Sequence, residues 1–241
     1  MLGLDGLHVI MIRAEYAVPV SFDQLDQAVD HLRGGGVVAL PTETQYALSG
    51  IATDDHAVAS VFRLKRRPGG ENLPVFLPPA RWRDHLEAMA EPLEDRVFAL
   101  AESAWPGAVT LIVNKRADWP TRAVDGATIA LRIPDHPVAS ALLDLVDAPL
   151  TGTSANVHGE PASLSANDVR RQFAVGSPAD RVSESLHILD EYGVTPAGTA
   201  STILDCTGQM PRVLRRGPML SAQVGELLMR HWGLSDLDSV S

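Results

Sequence analysis

Apolar positions recur along the chain in two alternating periods. Residues 7–12 and 36–40 are short, nearly unbroken apolar runs of strand length. Between them, Ser21 with Gln24 three residues later has the form of a capping box, and the glycines at 34–36 end the helix it opens. A second amphipathic segment, from about Asp55, turns Val58, Val61, Phe62 and Leu64 to one side. It delivers Lys65, Arg66 and Arg67 at its end, where Pro68-Gly69-Gly70 breaks it. Strand patterns follow at 74–77, 109–113 and 128–133, with two helices across 79–102. A helix at 137–146 leads to a strand ending in Thr151-Gly152-Thr153-Ser154, and Ser165 caps a helix through Phe173. Residues 187–190, 201–206 and 212–214 read as strands, and 221–232 as a closing helix with Val224, Leu227 and Leu228 on one side. The mixture of connections predicts a single α/β domain on one twisted, mixed parallel and antiparallel sheet flanked by helices. Its expected divisions are an N-terminal strand and extension over 1–20, a main domain over 21–220, and a C-terminal helix and tail over 221–241.

Composition narrows the function classes. With 45% hydrophobic residues the chain can bury a core, and no apolar run reaches the ~18 residues of a membrane span. The start has no basic stretch and carries Asp5 inside its apolar run, unlike a signal peptide, so a cytoplasmic protein without a membrane partner is expected. Cys206 stands alone, which leaves no disulfide and no cysteine metal site and suggests a buried spectator thiol. The eight histidines are scattered, no metal site is read from them, and His136 at a strand end is expected to be structural. A formal charge of −10, from 20 basic and 30 acidic residues, opposes a general nucleic-acid binder. Yet no acid stands between Asp55 and Glu71, where Arg63, Lys65, Arg66 and Arg67 gather, and Arg212, Arg215 and Arg216 form a second knot. Two compact basic clusters on an acidic chain suit a small anion.

Phosphate-loop, dinucleotide, zinc-protease and serine-hydrolase signatures are absent from the sequence. What stands at the ends of the expected strands is polar: Thr42, Glu43 and Thr44 after one, Arg132 at the end of another, Ser154 and Asn156 after a third, Ser201 and Thr202 at the start of a fourth. Lys65 and Arg67 are expected on a loop after a helix, and Arg215 after the last strand. Hydroxyls, an amide and four cations in an open basic concavity suit a polyanion such as a nucleoside triphosphate.

Five ordered stretches carry a resemblance. Pro41-Thr42-Glu43-Thr44-Gln45-Tyr46-Ala47-Leu48, Lys65-Arg66-Arg67-Pro68, Trp105-Pro106-Gly107-Ala108-Val109-Thr110, Ala130-Leu131-Arg132-Ile133-Pro134-Asp135-His136-Pro137 and Thr153-Ser154-Ala155-Asn156 resemble the YrdC-like family of threonylcarbamoyl-AMP synthases. The tail Ser201-Thr202-Ile203-Leu204-Asp205 with Val213-Leu214-Arg215-Arg216-Gly217-Pro218 is similar to the family's closing motif. The resemblance implies a nucleotidyltransferase that joins L-threonine, bicarbonate and ATP into L-threonylcarbamoyladenylate and pyrophosphate, for N6-threonylcarbamoyladenosine in tRNA. It implies that Lys65 and Arg67 act as catalytic phosphate holders. Thr128, Ser154, Asn156 and Arg215 would complete the ATP site, and Thr42, Arg132 and Ser201 would hold threonine. Mg²⁺ would be bound mainly through ATP, and a downstream threonylcarbamoyl transferase is the implied partner. Two other readings of the same resemblance are a carbamoyl-adenylate-forming protein and a non-catalytic RNA-binding module. One departure stands out: the histidine that many members place near threonine falls, on this reading, at Leu77.

Overall fold

Short strands and amphipathic helices alternate through the computed structural model, which describes residues 10–11, 17–18, 22–66, 72–173, 186–190, 196–217 and 223–233. In chain order they are β1 (Ile10–Met11), β2 (Ala17–Val18), α1 (Phe22–Arg33), β3 (Val37–Leu40), β4 (Ala47–Ser49), α2 (Asp55–Lys65) and β5 (Val75–Phe76). A 3-10 turn (Pro79–Arg81) precedes α3 (Trp82–Met89), α4 (Asp95–Ala104), β6 (Val109–Asn114), β7 (Thr128–Arg132) and α5 (Pro137–Val146). Then come β8 (Leu150–Thr151), β9 (Thr153–Ser154), α6 (Ala166–Phe173), β10 (Leu186–Ile188), β11 (Thr202–Asp205), β12 (Arg212–Arg215) and α7 (Gln223–Trp232). The expected cap at Ser21, the start of the closing helix at 221–222, the break at Pro68-Gly69-Gly70, Pro218, and most of the strand at 7–12 lie outside the described residues.

The fold is α/β with mixed pairing, as the alternation of periods implies. The strands form not one sheet but two principal ones, in the orders β10-β3-β4-β9 and β12-β11-β6-β7-β5-β8, beside a small β1-β2 ribbon. Parallel pairs (β10–β3, β11–β6, β5–β7) sit among antiparallel ones. The expected strand through Thr151–Ser154 breaks at Gly152: β8 pairs with β5 in one sheet and β9 with β4 in the other. A Cβ on Gly152 would stand 2.5 Å from the Phe76 ring, so only glycine lets the chain cross there. β4, which the apolar pattern missed, is three residues long and is held between β3 and β9.

Strand alternation distributes side chains between two cores. On β3, Val37 and Ala39 enter one cluster while Val38 and Leu40 enter the other, which is why this strand reads as an unbroken apolar run. At β5, Val75 and, just past the strand, Leu77 enter the first cluster and Phe76 the second. Leu227 and Leu228 of α7 are buried as expected. Cys206 is a buried thiol whose pKa burial, with Asp205 adding to it, pushes up to about 12.

Candidate active site

Where the two sheets meet, a cleft of about 300 Å³ opens between β4 and β9 on one side and β5, β6, β7, β11 and β12 on the other. Thr42, Thr44, Arg132, Ser154, Ser201 and Arg215, six of the residues singled out in the sequence, line it. Asn72, Phe76 and Thr110 line it too. Five distant segments thus converge at strand ends, where open α/β sheets bind ligands.

Arg132 ends β7 and is 5% exposed. Its Nε donates to Gly107 O (3.0 Å) and its Nη1 to Thr44 Oγ1 (3.0 Å). Gly107 is placed by its own N–H on Ile133 O (2.8 Å), beside a Trp105 whose indole N–H bonds Val109 O (2.8 Å) and whose bond to Pro106 is cis. The Trp-Pro-Gly stretch thus presents one carbonyl to the guanidinium. Thr44 is placed by Thr42, whose Oγ1 accepts the N–H of Thr44 and of Gln45 (3.2 Å each) and contacts Thr44 Oγ1 (2.8 Å). Thr44 is among the polar residues the sequence places at strand ends, but the resemblance gives a role only to Thr42 beside it. Arg132 Nη2 lies 2.7 Å from Glu43 Oε1, off the N–H direction, so the contact is an ion pair without an aligned hydrogen bond. The fork expected to be open for a carboxylate is therefore engaged by the protein on three nitrogens. Nη2 still lacks a hydrogen-bonded acceptor although it is shut off from solvent.

Across the cleft, Arg215 ends β12, with Nε donating to Ser201 O (2.9 Å) and Nη2 to Ser201 Oγ (3.1 Å). Ser201 Oγ in turn meets Thr110 Oγ1 at 2.8 Å. Burial, and then the charge of Arg132, lower the Arg215 pKa, yet an arginine stays protonated at any physiological pH. Two cations that disfavour each other across a cavity form a receptor for an anion. Gly217 makes this geometry possible: a Cβ there would stand 2.4 Å from Ala200 O, where the chain after β12 crosses Ser201.

The other expected residues lie elsewhere. Lys65 is not on a loop: it is the last residue of α2, 3% exposed. Asp54 opens that helix, its Oδ1 accepting from His56 N and Ala57 N, and Arg66 closes it in the left-handed region at φ 50°. The Lys65 ammonium donates to Ser154 O (2.6 Å), Asn156 O (3.0 Å) and Asn156 Oδ1 (3.1 Å), so its three donors meet acceptors of the Ser-x-Asn turn. The segment turns between Ser154 and Asn156, with Asn156 N on Ser154 O (3.0 Å), and the two side chains meet, Ser154 Oγ donating to Asn156 Oδ1 (2.5 Å). Asn156 Nδ2 is spent on Val157 O and Glu160 O, so only Ser154 of the pair lines the cleft. Thr128 starts β7, four residues from Arg132 and so ~13 Å away along the strand. It is not part of the cleft wall. Arg67 lies outside the described residues. His136 caps α5 through Nδ1, which accepts from Val138 N (3.2 Å). Leu77 is fully buried in the core and faces away from the cleft; the β5 residue that lines the cleft is Phe76, one position earlier.

Comparison with known proteins bears on the family and the fold. Residues 30–217 match the model of the Sua5/YciO/YrdC family, described as telomere recombination. A putative threonylcarbamoyl-AMP synthase of Mycobacterium tuberculosis is 34% identical over 203 residues, 83% of this chain and 87% of the relative. The threonylcarbamoyl-AMP synthase of Pyrococcus abyssi is 31% identical over 203 residues, but the chain spans only 56% of that longer protein. The solved structure of P. abyssi Sua5 complexed with L-threonine superposes with a TM-score of 0.71 at 30% identity, over 84% of this chain and 56% of that one. Escherichia coli YciO, an uncharacterized protein, is 28% identical over 80% of this chain and 88% of its own length. Its crystal structure gives a TM-score of 0.66, over 81% of this chain and 89% of that one.

Proposed function

Because the chain belongs to the Sua5/YciO/YrdC family, we propose that its cleft forms L-threonylcarbamoyladenylate from L-threonine, bicarbonate and ATP, releasing pyrophosphate. The observation that carries this reading is the pair of arginines, Arg132 and Arg215, facing one cavity whose remaining polar lining is hydroxyl and amide. Arg132, with Thr42 and Ser201, holds the amino acid, its guanidinium donating to the carboxylate. Arg215 and Ser154, with Arg67, hold the nucleotide phosphates, and Lys65 acts on them through the turn that it clamps. Bicarbonate and the threonine amine give a carbamate and water. A carbamate oxygen then attacks the α-phosphorus, and the bond to the β-phosphate breaks. Charge stabilisation and alignment suffice for such a transfer. Among the described residues, the cleft lining includes no carboxylate, so Mg²⁺ enters with the triphosphate. The adenylate serves tRNA modification through a threonylcarbamoyl transferase.

The test is pyrophosphate release from ATP and bicarbonate, with and without L-threonine, alongside serine and glycine. Release that requires threonine supports the reading. Release that is indifferent to any amino acid removes the threonine assignment, and no release with any of them removes the activity.

A further inference from the structure

Glu43 stands beside the cleft in a role that the reaction above does not use. It sits in the loop between β3 and β4, held by Ala197 N on Glu43 O (2.9 Å) and by Gly198 N on the neighbouring Thr44 O (2.9 Å). These two bonds fix the loop so that its carboxylate meets Arg132 Nη2 at 2.7 Å. Both Glu43 carboxylate oxygens are shut off from solvent and accept no hydrogen bond. A carboxylate in that condition is retained only if a charge beside it compensates, and the guanidinium does so. Arg132 is meanwhile held on its other side by Gly107 O and Thr44 Oγ1 and feels a second cation in Arg215.

We infer that Glu43 is a positioning and specificity-determining residue: its charge orients Arg132 and neutralises it, so that this end of the cleft accepts a carboxylate by geometry and does not attract phosphate. The inference rests on the reading that Arg132 serves the amino acid and Arg215 the nucleotide. Without Glu43 the two guanidiniums would form one doubly charged basin, and any polyanion would compete for both. With it, the Arg132 guanidinium is held in one orientation with its charge compensated, and the surplus positive charge stays at the Arg215 end. One cleft can then keep two anionic substrates in order, since discrimination comes as much from removing attraction for the wrong ligand as from adding it for the right one.

The experiment compares the unmodified chain with Glu43→Gln and Glu43→Asp, measuring inorganic phosphate binding by calorimetry and steady-state kinetics with threonine and ATP. Glu43→Gln should bind phosphate about tenfold tighter and raise the threonine KM about tenfold, with the ATP KM in phosphate-free buffer within about twofold. Glu43→Asp keeps the charge and should leave phosphate affinity within about twofold while raising the threonine KM by only about threefold. If Glu43→Gln melts too early for kinetics, the aspartate variant decides alone: phosphate binding tightened about tenfold there overturns a role for the charge. Phosphate affinity and threonine KM both unchanged in a folded Glu43→Gln would also overturn the proposal. A merely structural Glu43 would lower the melting temperature and move neither readout. Phosphate binding needs no turnover, so an unmodified chain that fails to release pyrophosphate refutes the proposed reaction and leaves this comparison readable.

Discussion

Arg132 holds its place through three different partners, and a lysine cannot reproduce them. Arg132→Lys loses the bonds to Gly107 O and Thr44 Oγ1 together with the planar fork, so the threonine KM should rise about tenfold or more while the ATP KM moves less. The comparison to make is kcat/KM for each substrate in both proteins; an unchanged threonine value with crippled ATP use would hand Arg132 to the nucleotide. Lys65 makes a different case. Its place in a basic run suggests a mobile loop cation, and an alanine there would then leave the fold intact. Buried at the end of α2, the ammonium instead ties down three acceptors of the turn at Ser154 and Asn156. A buried acceptor left bare costs about 1–3 kcal/mol, and each kcal/mol moves the midpoint of a chain this size by about 2–4 °C. Lys65→Ala should therefore lower the melting temperature by several degrees as well as weaken ATP binding. A calorimetric scan showing no shift would return Lys65 to the role of a dispensable surface cation.

At the scale of elements, two contacts determine how strands meet their neighbours. β8 and β9 are separated by Gly152, which lies flat against Phe76 below Arg132, whose guanidinium carbon is 5.8 Å from that ring. Gly152→Ala should push the ring into the cleft, lowering both stability and amino-acid affinity, whereas a change in melting temperature alone would show that the ring moves elsewhere. On the far side of β3, half-buried His187 of β10 faces His31 of α1 with ring centroids 5.9 Å apart. Burial, with the charge of His31 adding to it, holds the His187 pKa below its ordinary 6.5. The unfolded chain then binds the proton more readily than the folded one, so stability is intact above that value and declines as pH falls through it. Melting curves between pH 7.5 and pH 5 should show a smaller loss in His187→Gln than in the unmodified chain. Parallel curves would mean that His187 titrates alike in both states.

For the whole molecule, charge and architecture pull in opposite directions. The chain carries a formal −10, yet it gathers cations where two sheets meet. Because residues from both sheets line the cleft, ligands should tie the sheets together. ATP at about a hundred times its dissociation constant adds about 2.7 kcal/mol, or roughly 5–11 °C of melting temperature, and threonine at its own site adds further. A thermal-shift titration checks this. No broad basic face is expected from the charge balance, so RNA should be retained weakly at low salt. Tight binding that weakens steeply as salt rises would favour the RNA-binding alternative.

Much of this was legible in one dimension. Helix and strand periods, the polar residues at strand ends and the ordered motifs located the family and six of the cleft residues, because burial periodicity and local chemistry are properties of neighbours in the chain. The cap at Asp54, the turn at Ser154 and the cap at His136 are local too, but the sequence reading did not name them. Several things depended on what meets across long separations: two sheets in place of one, the three-residue β4, and Lys65 turned inward onto a turn 89 residues away. The choice of Phe76 over Leu77 was of this kind, since a strand shows its two faces only once its partners are fixed, and a shift of one residue exchanges core for cleft. So was the pairing of Glu43 with Arg132: each is a polar residue at a strand end in the sequence, and only the fold brings opposite charges together out of water, where their interaction is strong enough to shape a site.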